Sequence, residues 1–515
     1  MKQTNNAIKF LMAQYRAIFQ NAYFKGLATA AVVTMGLAAG QAQATRDADW
    51  FKALTQDTKV GSSDAIAIAA DASNTKAITL TIESGATHAI NGGSAATTVT
   101  AKNATIKIAG SGAADATKLV VSGSTGGAAK LDVGTIKVEN GTLELKNNAA
   151  NHATVEADFI TLGKEQAQGN RAAGATAVVS LASGSTLGKV SGTGGTTLKL
   201  LSGSEIKMVG AGAAAVDGVN IKAADLQISG GAITLGNGTK ADKVTITISD
   251  GSMTDGSIAI AKQAEATISA KKPDGSNNPV SFDVTGGKLE VSGKLTVDAN
   301  VAMTVGDSAK LYTKTDGTSS GIEIASGGVF KTSKEALLGL TTGKNSSGET
   351  YVTGAVADKG GVNIAKGGVL YITGDNVSLK GLTLASGGNI AAKSITSTDT
   401  AGDSTLKFDS LVVDEKVANS DKFNVDVLGT LTLGAGEYAG GASNKSFNQI
   451  NAKSLAFNAT DAYDLAEKVV LASADSDGKA AAGTISGDAK LGEILTINQG
   501  NYTQDGTLKI GRAHV

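Results

Sequence analysis

The sequence predicts an all-β fold: a right-handed parallel β-helix, a solenoid of coils of about 20 residues, behind an N-terminal helical signal peptide. Three observations predict it. The first is composition: Gly supplies 66 of 515 residues, Pro only 2, and aromatic residues 4%. So much Gly with so little Pro excludes collagen and Pro-rich linkers, and 41% hydrophobic residues exclude wholesale disorder. The second is period-two alternation over short runs. In "GTIKVENGTLELKNN" Ile136 and Val138 alternate with Lys137 and Glu139, Asn140-Gly141 turns, and Leu143 and Leu145 resume the pattern. The third is a recurring turn after a strand. It stands at Ser183-Gly184, Ser202-Gly203, Ser229-Gly230-Gly231, Thr285-Gly286-Gly287, Ser326-Gly327-Gly328, Lys366-Gly367-Gly368 and Ser386-Gly387-Gly388. Four of the six gaps between first positions fall within one residue of 20 or 40, the mark of a repeated coil.

Taken in order, residues 1–44 read as a secretory signal peptide. Lys2, Lys9, Arg16 and Lys25 precede any acid, the apolar run from Gly26 to Ala39 follows, and Ala42-Gln43-Ala44 fits small-x-small cleavage before Thr45. That apolar run is shorter than the roughly 20 residues needed to span a bilayer. Residues 45–60 are expected to cap the fold, with a helical turn in "DADWFKALTQD" (Asp47 to Asp57). Residues 61–509 are expected to form the coils, roughly 20 of them along a rod. Their inward set includes Leu289, Val291, Leu295, Val297, Val301, Met303 and Val305, then Leu370, Ile372, Val377, Leu379, Leu382 and Leu384. Both prolines, Pro273 and Pro279, place a loop at about 271–280, since Pro cannot donate to a ladder. "DAYDLAEKVV" (461–470) is expected to be a short helix or a lateral insertion. The alternative architecture, a chain of antiparallel sandwiches, would need repeated core aromatics, and Trp50 is the single Trp.

The last six residues, Ile510 to Val515, are compositionally foreign. Before them the chain holds Arg16, Arg46 and Arg171 and two His; these six add a fourth Arg and a third His. "IGRAHV" is what the adapter read-through ATC GGA AGA GCA CAC GTC encodes before a stop. The expectation is that 510–515 are a sequencing artefact and that the natural chain continues.

The chemistry the sequence offers is sparse. No Cys means no disulfide, thiolate metal site or Cys nucleophile. The formal charge is −1, and removal of the leader's four basic residues takes it to about −5, so no nucleic-acid partner is expected. Gly306-Asp307-Ser308 and Gly402-Asp403-Ser404 lack the Leu and downstream His of the lipase block that "GDS" opens, and read as turns. The run from Asp475 to Gly478 begins like a calcium loop, but position twelve is Ser486 and not Glu. His88 and His152 read as solvent-side turn residues. The chain is therefore expected not to be an enzyme, to need no cofactor and to hold no metal. The only site residues assigned are those of signal cleavage: Ala42, Ala44 and Thr45.

The long leader, the absent Cys, the Gly-rich coils and the Lys-over-Arg surface together resemble the passenger domain of a Gram-negative monomeric autotransporter of the self-associating adhesin type. The resemblance covers residues 45–509 and is to a class; the leader lacks the usual Trp-Asn extension motif. It implies a non-catalytic adhesin or aggregation protein, exported to the cell surface, outer membrane or extracellular space. It implies a host or bacterial surface, glycan or protein, or a second copy as partner, and a C-terminal translocator barrel that this sequence lacks. The alternatives are a structural cell-envelope or surface-layer-like β-rod and, more distantly, a polysaccharide-active β-helix enzyme. A surface cluster of Asp and Lys on one stacked face would favour the enzyme.

Overall fold

A strand that alternates apolar and polar residues turns one set inward and the other outward. In the computed structural model this pattern joins 39 strands into one sheet whose pairings are all parallel, which rules out antiparallel sandwiches. The structure describes residues from Ala44 on: most of 44–333 apart from segments such as 111–116, 165–176, 209–217 and 314–320, and from there to Ile510 chiefly the strands.

The strands stack in ladders that the chain visits in turn. One runs from Thr58–Val60 through Thr79–Ile82, Thr197–Leu201, Val280–Val284, Val301–Val305, Val329–Ser333, Val369–Thr373 and Ser404–Phe408 to Lys468–Ala472. A second includes Ala153–Leu162, Val219–Ala223, Lys243–Ile248, Glu265–Ala270, Lys294–Val297 and Gly321–Ile324. A third runs from Ala44–Arg46 through Asp64–Ile68, Thr87–Asn91, Lys118–Ser122 and Ala177–Leu181 to Lys310–Thr313. The long strands Thr97–Ala109, Ala129–Lys146 and Ala153–Leu162 bend to serve more than one ladder.

Register carries like onto like. In the first ladder one inward position reads Val60, Ile82, Ile108, Val138, Leu162, Leu200, Ile228, Met253, Val284, Val305, Thr332, Ile372, Phe408, Val427, Ala452, Leu471. All are buried, and with the other ladders they form one continuous core. Each buried Val, Leu or Ile contributes about 1.5–3 kcal/mol, so the stack outweighs any single surface contact. Of the residues expected inward, all those whose burial is described are buried; Leu379, Leu382 and Leu384 lie outside that description.

The step between rungs differs from the expected 20 residues. Leu406 to Val425 takes 19, Leu80 to Ile106 takes 26, and Phe330 to Leu370 takes 40. Parallel stacking constrains only the strands, so extra residues leave between ladders at a modest entropic cost. The recurring Ser-Gly turns mark some of those exits. At Gly327 and Gly367 φ is 76° and 72°, where a side chain would be strained. Gly327 N–H donates to Gly367 O at 3.0 Å, so one turn sits upon the next.

At the N-terminal end a helix, Ala48–Ala53, lies in the stretch expected to hold a helical turn. Asp47 caps it by accepting from Trp50 N–H at 3.0 Å, and Phe51 is buried. Buried Asn74 fastens it, donating from Nδ2 to Phe51 O (2.8 Å) and Leu54 O (3.0 Å). Arg46 pairs with Asp64 at 2.7 Å and lies 4.9 Å from the centre of the Trp50 ring. The described residues between Ala270 and Val280 are outside strands. The helix expected at 461–470 is corrected at its end: Lys468–Ala472 is a strand, paired with Gln449–Ala452, while 461–467 lie outside the described residues. Apolar Val469, Val470 and Leu471 suit a ladder better than a short helix.

Candidate functional site

Outward residues are mostly Lys, Thr, Ser, Asp and Glu, and three lysine–carboxylate pairs meet around one bend. There the strand Ala153–Leu162 passes from the second ladder to the first through Ala157, Asp158 and Phe159. Up to Ala157 the odd positions face inward; beyond the bend the even ones do, with Ile160 and Leu162 buried. Phe159 is thereby turned out and is 55% exposed, in a row between Thr135 and Thr197. One rung below, Gly134 makes the same bend; a Cβ there would lie 2.3 Å from Lys102 O. One rung above, Lys189 precedes a small hairpin of Val190–Ser191 and Gly194–Gly195. Thr196 pins the hairpin's base: its Oγ1 accepts from Lys189 N–H at 2.9 Å and donates to Ala157 O at 2.5 Å.

Six charges crowd this bend. Lys102 meets Asp132 at 2.5 Å, Lys130 meets Glu156 at 2.9 Å, and Lys189 meets Asp158 at 2.5 Å. Burial acts to lower the Lys189 pKa, but the hydrogen bond and charge of Asp158 and the charges of Asp132 and Glu156 outweigh it. The pKa ends above its ordinary value. This is the stacked cluster of carboxylates and lysines that a polysaccharide-active enzyme would call for. Each carboxylate is nevertheless engaged by an ammonium group of a neighbouring rung, an arrangement that ties rungs together.

A second outward cluster centres on Tyr371. Lys331 and Lys407, its neighbours in the ladder, place Nζ 5.0 and 5.3 Å from its ring centre, and its hydroxyl hydrogen-bonds Asp409. Burial, then that hydrogen bond and the Asp409 charge, push the phenol pKa upward.

The histidines are not where the sequence suggested. His88 is a core residue with no exposure, in the strand Thr87–Asn91. Its Nδ1 accepts from Ile66 N–H at 3.1 Å, while buried Nε2 has no partner. Burial lowers its pKa, partly opposed by the charge of Asp64. His152 is half-buried beside Gly184, whose Cβ would meet Nδ1 at 2.4 Å. His88 departs because the strand face, and not the polarity of the side chain, decides which way it points; His152 lies outside any strand, just before Ala153–Leu162.

Ser404, in the second "GDS", is also fully buried, 2.6 Å from Ser397 Oγ and donating to Ile364 O at 3.2 Å. Among the described residues no group of His, Asp and Glu could hold a metal ion, and no helix is long and apolar enough to cross a membrane. Of the cleavage residues, Ala42 lies outside the described residues, while Ala44 and Thr45 lie in the strand Ala44–Arg46, paired with Asp64 and Ala65. The calcium-like run from Asp475 also lies outside them.

Sequence reasoning missed Phe159 and the charged bend. A signal existed, because in "TVEADFITL" the alternation breaks at Phe159-Ile160, two apolar residues in succession. Compared with known proteins, the chain matches no family model, no curated protein and no solved structure.

Proposed function

We propose that this chain is a right-handed parallel β-helix that works as a non-catalytic, surface-displayed adhesin or aggregation protein, exported as the passenger of an autotransporter. The observation that carries the reading is the unbroken inward stack from Val60 to Leu471, with outward rows of Lys, Thr, Ser and Asp repeated beside it. A scaffold of that kind offers many equivalent weak contacts along a face, and multivalency turns these into avidity. Parallel strands joined through successive ladders favour a helical winding, and the right hand follows the usual chirality of parallel crossovers. The leader-like residues 1–44 support export.

The test is display in a Gram-negative host lacking its own adhesins, from the natural gene with whatever follows residue 509. The reading expects protease-accessible chain on intact cells together with cell settling or attachment. Chain retained inside the cell would refute it.

A second reading, a polysaccharide-active enzyme, is favoured by one observation, the Asp132–Glu156–Asp158 cluster with its lysines. Release of reducing ends from a panel of polysaccharides, lost in Glu156→Gln, would support it. No release from any of them would remove it.

A further inference from the structure

We propose that the outward face around Phe159 binds an acidic polysaccharide, a chain of pyranose rings carrying carboxylate or sulfate groups. The proposal deepens the adhesive reading and rests on it. Phe159 offers an exposed aromatic surface, and its ladder neighbours Thr135 and Thr197 are too small to cover it. The adjacent outward row reads Lys137, Thr161, Lys199. Two rungs separate the lysines, roughly 10 Å, close to the length of a disaccharide.

Charge distinguishes this face from the bend beside it. At the bend three lysines are matched by three carboxylates. Among the described residues, Lys137 and Lys199 have neither an ion-pair nor a hydrogen-bond partner. Two unpaired ammonium groups therefore lie next to the exposed ring, while the nearby carboxylates Asp225 and Glu139 are engaged by Gln227 and Lys107. A pyranose can lay its C–H face on Phe159, as amphipathic ligands do on aromatic anchors. Its acid groups then reach the ammonium groups, and its hydroxyls reach Thr135, Thr161 and Thr197. Two lysines on a chain of net charge −1 are too few for a nucleic acid.

The experiment titrates the purified full chain against immobilised polygalacturonate, dextran sulfate and uncharged dextran, at low and physiological salt. Binding to at least one acidic polymer but not to dextran is expected, weakening as salt rises. The carboxylate and sulfate arms tell the two acid groups apart. Phe159→Ser and the pair Lys137→Gln with Lys199→Gln should each weaken binding about tenfold or more, while Lys243→Gln, on another outward row, should not. All these side chains face outward, so an unchanged Tm should accompany the loss. Equal binding to dextran, no binding to any polymer, or unchanged affinity in Phe159→Ser would overturn the site. Cells that still adhere while displaying a non-binding chain would sink this site alone. Purified chain that binds on cells that never adhere would sink the adhesive reading instead.

Discussion

At the scale of single residues, His88 makes the sharpest prediction. Its neutral ring stands in for a ladder acceptor, taking Ile66 N–H at Nδ1, and protonation there would break that bond inside the core. Burial lowers the folded-state pKa, with Asp64, itself paired to Arg46, the nearby charge that partly opposes it. Below pH about 6.5 the unfolded chain takes up a proton before the folded chain does. Stability from this group is full above that pH and falls as the solution is acidified, by at most about 1.4 kcal/mol per pH unit until the folded pKa is reached. Urea midpoints across that range should show the slope in the natural chain and a flatter profile in His88→Gln. This residue was legible in principle: His88 shares its parity with buried Ile90, and parity outranks polarity in a stacked strand. Ser404 shares the parity of Leu406 and Phe408 in the same way.

At the scale of strands, neighbours in a ladder share one volume. Gly251 lies between Leu226 and Phe282 in register, and a Cβ on it would meet the Phe282 ring at 2.7 Å. The ring fills space that Gly leaves. Gly251→Leu should cost about 1–3 kcal/mol through overpacking. Phe282→Ala alone should cost about 3–5 kcal/mol through the cavity it opens. In the double variant the added side chain enters the vacated space, so the two costs should fall short of additive; a strictly additive cycle by urea denaturation would contradict the shared volume. Such pairing could not be read from the chain, because 31 residues separate the two and nothing local says which rungs are neighbours. Strand existence was legible from alternation, and the tightest turns from Ser-Gly; step length was not, because those turns mark only some exits.

At the scale of the molecule, the core and not the surface charges should set stability. Pairs such as Lys294–Glu323, at 2.8 Å and with both side chains more than a quarter exposed, contribute about 0–1 kcal/mol each. Lys294→Ala and high salt should therefore move Tm little. Leu143→Asp, a fully buried position in the third ladder, should cost several kcal/mol, and hydrogen exchange should quicken first in the rungs that touch it. The stack also passes without a break through steps of 19 and 40 residues. Chain length between rungs is thus a variable on which the interior places no demand. Evolution can lengthen an exit without rebuilding what lies beneath, and an engineer has the same freedom. A foreign peptide grafted between Ser191 and Gly194, at the tip of the hairpin that Thr196 anchors, should be presented to antibodies while the far-UV spectrum and Tm of the host stay as they were.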